Sequence, residues 1–108
     1  MLPSLFRAAC GVCLFLVIVA AKWATFDRFG SPMPDWDQWD AEASALLVPW
    51  LEQDPAFLGH LFAAHNEHRV VLTKLQALAL TVANGQWDAR LEAVVNAMRH
   101  GLVAWGLW

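Results

Sequence analysis

Residues 8–26 read Ala-Ala-Cys-Gly-Val-Cys-Leu-Phe-Leu-Val-Ile-Val-Ala-Ala-Lys-Trp-Ala-Thr-Phe, and Lys22 is the only charge among them. From Leu2 to Ala21 the only charge is Arg7. Either window holds about 20 residues, enough for a helix to cross roughly 30 Å of hydrocarbon. Arg7 and Lys22 can snorkel to opposite interfaces, and Trp23 sits where a belt aromatic belongs. The same residues suit a cleaved signal peptide, with a basic start, a 14-residue apolar core at 8–21 and the small pair Ala20-Ala21. Nothing after residue 22 has the make-up of a soluble mature domain, so the segment reads as a retained anchor.

Composition points the same way. Of 108 residues, 58% are hydrophobic and 16% charged, where soluble domains average roughly 45–50% and about 25%. A chain long enough for one small domain cannot bury that excess internally, so part of it faces lipid or a partner. Seven Trp and no Tyr is a set suited to the membrane–water interface, where the ring is buried and its N–H stays wet. The net charge of −3, with no basic patch, excludes nucleic acid as the expected partner. Cys10 and Cys13 lie in the most apolar stretch, where a thiolate is unstable, so they read as small apolar side chains and not as a redox pair. A lipoprotein site at Cys10 is disfavoured by Arg7, which stands where an apolar residue is needed.

Outward from the anchor, the chain reads as helices. Residues 27–34 form a linker with two prolines and a glycine. Asp35 is a fit N-cap with Gln38 as capping-box partner, and Trp36, Trp39, Ala43, Leu46, Leu47, Trp50 and Leu51 follow at helical spacing. Pro49 is expected to end or kink that helix. Asp54-Pro55 restarts a short helix with Leu58, Leu61 and Phe62 as its apolar side. A third helix is expected from about 67 to 83, closed by Asn84-Gly85, lying along the bilayer or packed on other helices. Asp88 caps a last one with Leu91, Val94, Val95 and Met98 on one side. The expected class is therefore an all-α membrane protein in three parts: a transmembrane anchor at 1–26, an extracytoplasmic loop of interfacial helices at 27–88, and an incomplete second transmembrane helix at 89–108. Arg7 and the terminal amine nearly balance Lys22 and Arg28, and the signal-like beginning places the N-terminus in the cytoplasm. Ending while still hydrophobic, the chain reads as the first part of a longer protein.

Two polar clusters can carry chemistry. Asp35, Asp37, Asp40 and Glu42 punctuate the run Pro-Asp-Trp-Asp-Gln-Trp-Asp-Ala-Glu. On an α-helix Asp37 and Asp40 share a face, where converging carboxylates can hold a divalent cation or supply a general base. The plainer alternative is a capped helix whose acids complement its dipole. The second cluster, His65-Asn66-Glu67-His68-Arg69, sets two imidazoles three apart, without the spacing of a zincin. Arg69 can contact a phosphate bidentately, and the plainer alternative here is a solvated turn.

The strings Pro34-Asp35-Trp36-Asp37-Gln38-Trp39-Asp40, His65-Asn66-Glu67-His68-Arg69 and Asn84-Gly85-Gln86-Trp87-Asp88-Ala89-Arg90 resemble the start of large bacterial membrane proteins of the GT-C glycosyltransferase type. The resemblance implies an inner-membrane enzyme using a lipid-phosphate-linked sugar. It assigns a catalytic acid to Asp35, Asp37 or Asp40, while the residues themselves make His65, Glu67, His68 and Arg69 the candidate substrate contacts. It also implies that this chain, inactive alone, needs the remaining helices of a longer polytopic protein. The alternatives are a small non-catalytic membrane-anchored interaction protein and an extracytoplasmic metal-binding module.

Overall fold

The computed structural model describes residues 3–34, 36–65 and 70–108, and all of its described elements are helical. They are α1 (Ser4–Phe29), α2 (Trp36–Gln38), a π-helical segment (Trp39–Leu47), α3 (Val48–Leu51), α4 (Phe57–Phe62), α5 (Val71–Asn84) and α6 (Ala89–Leu107). The chain divides into two compact units, one of residues 1–31 with 90–108, the other of residues 32–89.

In the first unit α1 runs three residues beyond the expected anchor, to Phe29. It stops where Gly30 turns extended while its N–H still reaches the Phe26 carbonyl at 2.7 Å. Among the described helices α1 alone is long and apolar enough to cross a membrane, with a mean hydropathy of 2.3 over its best window. α6 pairs with it in antiparallel fashion. Arg7 donates to the Trp108 carbonyl at 3.0 Å, while at the opposite end Arg90 lies 3.6 Å from Asp27 and over the Trp23 ring. Between them the helices approach through glycine: a Cβ on Gly11 would overlap the Trp105 indole, and one on Gly101 would overlap the Phe15 ring. α6 carries Arg90, Glu92 and Arg99, and these charges keep it from meeting the apolarity that α1 meets.

In the second unit the helix begun by Trp36 winds wide from Trp39 to Leu47 and returns to α-geometry at Val48. Pro49 therefore neither ends the helix nor starts a loop. It has no N–H to give a carbonyl four residues back, and the π turns ahead of it use a longer repeat. The helix closes after Leu51 with Gln53 in the left-handed region, φ 56°, and a Schellman pair of bonds, Asp54 N–H to the Pro49 carbonyl and Gln53 N–H to that of Trp50. The wide winding also changes which residues are inside. Ala41, Glu42, Leu46 and Leu47 are buried, while Trp36, Trp39, Trp50 and Leu51 of the expected apolar face are exposed. Buried pairs five apart, 41 with 46 and 42 with 47, are what an i to i+5 repeat stacks.

α5 starts at Val71, with Val70 outside the helix, and not at 67. It ends as expected at Asn84, with Gly85 left-handed at φ 73°. Leu46, Leu61 and Ala77 meet as the core of this unit, flanked by Phe57, Val71 and Leu78. A large side chain contributes about 1.5–3 kcal/mol when fully buried, so three residues make a thin core.

The glycine contacts give the first prediction. Gly11→Leu forces the Trp105 ring to move, and overpacking of this kind costs about 1–3 kcal/mol. Denaturant titration of the protein in detergent micelles should show that loss, with Gly106→Leu, whose Cβ meets open space, close to wild type.

Candidate functional site

Within the second unit the two polar clusters of the sequence meet. Asp37 and Gln38 come from α2, Ala41 and Glu42 from the π segment, His65 from the chain after α4, and Thr73 and Lys74 from α5, and together they line a cleft of about 260 Å³. The i to i+5 repeat is what places Asp37 and Glu42 together. At about 100° per residue an α-helix would set Asp37 beside Asp40. Asp40 is instead exposed, away from the cleft, so the expected Asp37–Asp40 face is corrected to one of Asp37 with Glu42. Asp35, Glu67, His68 and Arg69 lie outside the described residues.

Lys74 is the centre of this arrangement. It is 1% exposed, and its Nζ donates to the carbonyls of His60 at 2.9 Å and Ala63 at 3.0 Å. Those carbonyls belong to the last turn of α4 and its C-cap, where a helix leaves acceptors unsatisfied and carries partial negative charge. The lysine ties α5 to α4 and leaves an ammonium at the cleft wall. Glu42, 5% exposed, gives the cleft a buried carboxyl group. His65 presents Nε2 3.9 Å from Asp37 Oδ1, with side chains 23% and 81% exposed. That spacing is too long for a direct hydrogen bond and wide enough for a hydroxyl to bridge them. Buried acid, buried ammonium and an imidazole beside a carboxylate together can accept and donate protons to a hydroxylated ligand.

Nearby, Asp54 caps the turn before α4. Its Oδ1 accepts the Ala56 N–H at 2.7 Å and its Oδ2 meets His60 Nε2 at 3.1 Å. The Ala56 amide first, and then His60, hold the Asp54 carboxyl below its ordinary value. Another concavity of this unit, about 550 Å³, is apolar; Trp39 and Trp87 meet edge to face there at 5.3 Å between ring centroids. It holds no titratable side chain. Among the described residues no three His, Cys, Asp or Glu side chains gather where they could hold a metal ion.

Hydrophobic spacing alone does not single out Lys74. One signal was present: a lone lysine amid Val, Leu and Ala on a short helix must find acceptors inside the fold. No family model, no curated protein and no solved structure matches the chain.

Two predictions follow from the geometry. Lys74→Met leaves the His60 and Ala63 carbonyls without their donor, and an unsatisfied buried acceptor costs about 1–3 kcal/mol; urea denaturation should show a loss of that order, with hydrogen exchange rising first in α4. Because the Asp54 pKa is depressed on folding, its contribution is present above its unfolded value, about 4, and fades as pH falls through the lower folded value. Stability of wild type and Asp54→Asn measured from pH 6 to pH 2 should therefore converge at the acid end, and a constant gap would disprove this cap.

Proposed function

We propose that this chain is the amino-terminal portion of a polytopic inner-membrane glycosyltransferase of the GT-C type, inactive by itself. In this reading α1 spans the bilayer with its N-terminus in the cytoplasm, α6 begins the second span, and residues 32–89 rest on the extracytoplasmic surface. The apolarity of α1 and its largely unburied surface support the anchor. Exposed Trp36, Trp50, Leu51 and Leu72 leave large apolar side chains for lipid or a partner to cover, which supports an apolar surrounding for this unit.

The observation that carries the catalytic half is the meeting of Asp37 and His65 at one cleft, from clusters 28 positions apart in sequence. Asp37 is assigned the general base that takes a proton from an acceptor hydroxyl, with His65 across the gap sharing it. Lys74 supplies positive potential to the developing alkoxide environment, and Arg69 is assigned to the donor phosphate.

Membranes carrying the protein in its full gene context should transfer radiolabelled sugar from a lipid-phosphate donor. Asp37→Asn should lower the rate by about 10² or more, the usual contribution of a positioned base, while Asp40→Asn should leave it near wild type. No transfer, or equal rates for the two variants, overturns the reading. Fusion of alkaline phosphatase at residue 54 should give an active enzyme and fusion of green fluorescent protein there a dark one; the reverse places the loop in the cytoplasm. The second reading, a non-catalytic membrane-anchored interaction protein, draws on the apolar groove at Trp39 and Trp87 and expects no transfer in the same assay.

A further inference from the structure

The α1–α6 pair has a polar feature that the proposed chemistry does not use. Lys22 and Thr25 of α1 and Asn96 of α6 line an open cavity of about 480 Å³, whose other walls include Phe26, Phe29 and Ala93. Arg99 lies one turn beyond Asn96 and donates to its Oδ1 at 2.8 Å. With its oxygen engaged by Arg99, Asn96 has its amide N–H groups to offer a ligand. Thr25 gives its own hydroxyl proton to the Ala21 carbonyl at 2.8 Å.

The charge balance of this region is one-sided. Among the described residues neither Lys22 nor Arg99 has a carboxylate within ion-pair distance, and the nearest paired acid on α1, Asp27, is held by Arg90. Two cations and an imidazole sit on a helix pair with little else but apolar side chains. In such surroundings unneutralised cations are costly, and a set composed almost wholly of donors is satisfied by an anion. The apolar walls add a second requirement. A free inorganic anion gains nothing from Phe26 and Phe29, whereas an anionic amphiphile sets its phosphate among the donors and its glycerol and first methylenes against the rings.

We propose that Lys22, Asn96 and Arg99 form a binding site for the phosphate headgroup of an acidic phospholipid, seated at the Lys22 end of the α1–α6 pair. Lys22 supplies charge at the cavity wall, Arg99 adds charge from the next turn through the Asn96 that it holds, the Asn96 amide supplies a directional donor, and Phe26 and Phe29 contact the apolar part of the lipid. The site is separate from the Asp37–His65 cleft and stands whether or not that cleft transfers sugar.

The test uses the full chain purified in neutral detergent, with native mass spectrometry reading bound lipid. Titration with phosphatidylglycerol should give a saturable adduct several-fold tighter than with phosphatidylcholine of the same acyl chains. Removing one charged contact should weaken it about tenfold, equivalent to about 1.4 kcal/mol, so Lys22→Gln and Arg99→Gln each lose most of the preference. Lys22→Arg keeps it, and Arg7→Gln, a cation near the other end of α1, leaves it unchanged. Circular dichroism of each variant separates loss of the site from loss of the helix pair, and an Arg99→Lys variant serves if Arg99→Gln does not fold. Equal adducts with both lipids, or a preference that survives Lys22→Gln in folded protein, overturns the proposal. In a parallel arm, inorganic phosphate followed by phosphorus NMR should show no saturable broadening below millimolar concentrations; tight broadening lost with Lys22→Gln assigns the site to free phosphate and overturns the lipid.

Discussion

The Lys74 ammonium is taken out of water and solvated again by two carbonyls at the end of another helix. A charge buried without such partners is driven to neutralise or to return to the surface. Here the helix that α5 packs against supplies acceptors that its own geometry leaves open. The tie fixes the end of α4, and with it the stretch that delivers His65, against the helix that supplies Thr73. With a central cluster of Leu46, Leu61 and Ala77 and little else behind it, this polar joint carries much of the positional definition of the cleft. A charged hydrogen bond is worth more than a neutral one, about 1.5–3 kcal/mol, and its directionality specifies a geometry that a few aliphatic contacts leave loose.

The long apolar first helix, the helical class, the close of α5 and the start of α6 are legible in the sequence because each rests on local chemistry. A run of apolar residues defines α1, Asn84-Gly85 permits a left-handed cap, and Asp88 precedes the first residue of α6. The burial pattern from 36 to 51 is not legible in the same way. Hydrophobic spacing was read at 3.6 residues per turn, and at that period Trp39, Leu46 and Trp50 look like a core face. The chain winds at a longer period over nine residues, and no propensity rule marks where a π turn begins. Asp37 and His65 were visible as members of clusters, but their meeting depends on that winding and on Lys74, both tertiary features. Glu42 was visible as an acid and not as a buried one, for the same reason.

The two units illustrate different answers to excess apolar surface. In the α1–α6 pair, glycine at 11 and 101 lets aromatic rings lie against opposing backbone, so contact there comes from shape and dispersion. In the second unit Trp36, Trp39, Trp50 and Phe62 stay outward, and buried polar groups share the joining with a small apolar cluster. The first strategy tolerates a lipid surround and the second a wet cleft. Both occur here within 108 residues.

The π segment has a consequence for how this site can vary between related chains. A π turn is an α turn with an extra residue in it, so the register of Asp37 against His65 is set by how many residues lie between 39 and 47 as much as by which they are. Deleting one of them would restore ordinary winding and rotate all that precedes it by about 100°, carrying Asp37 away from the imidazole with no side chain of the cleft changed. In this helix the site is encoded by length.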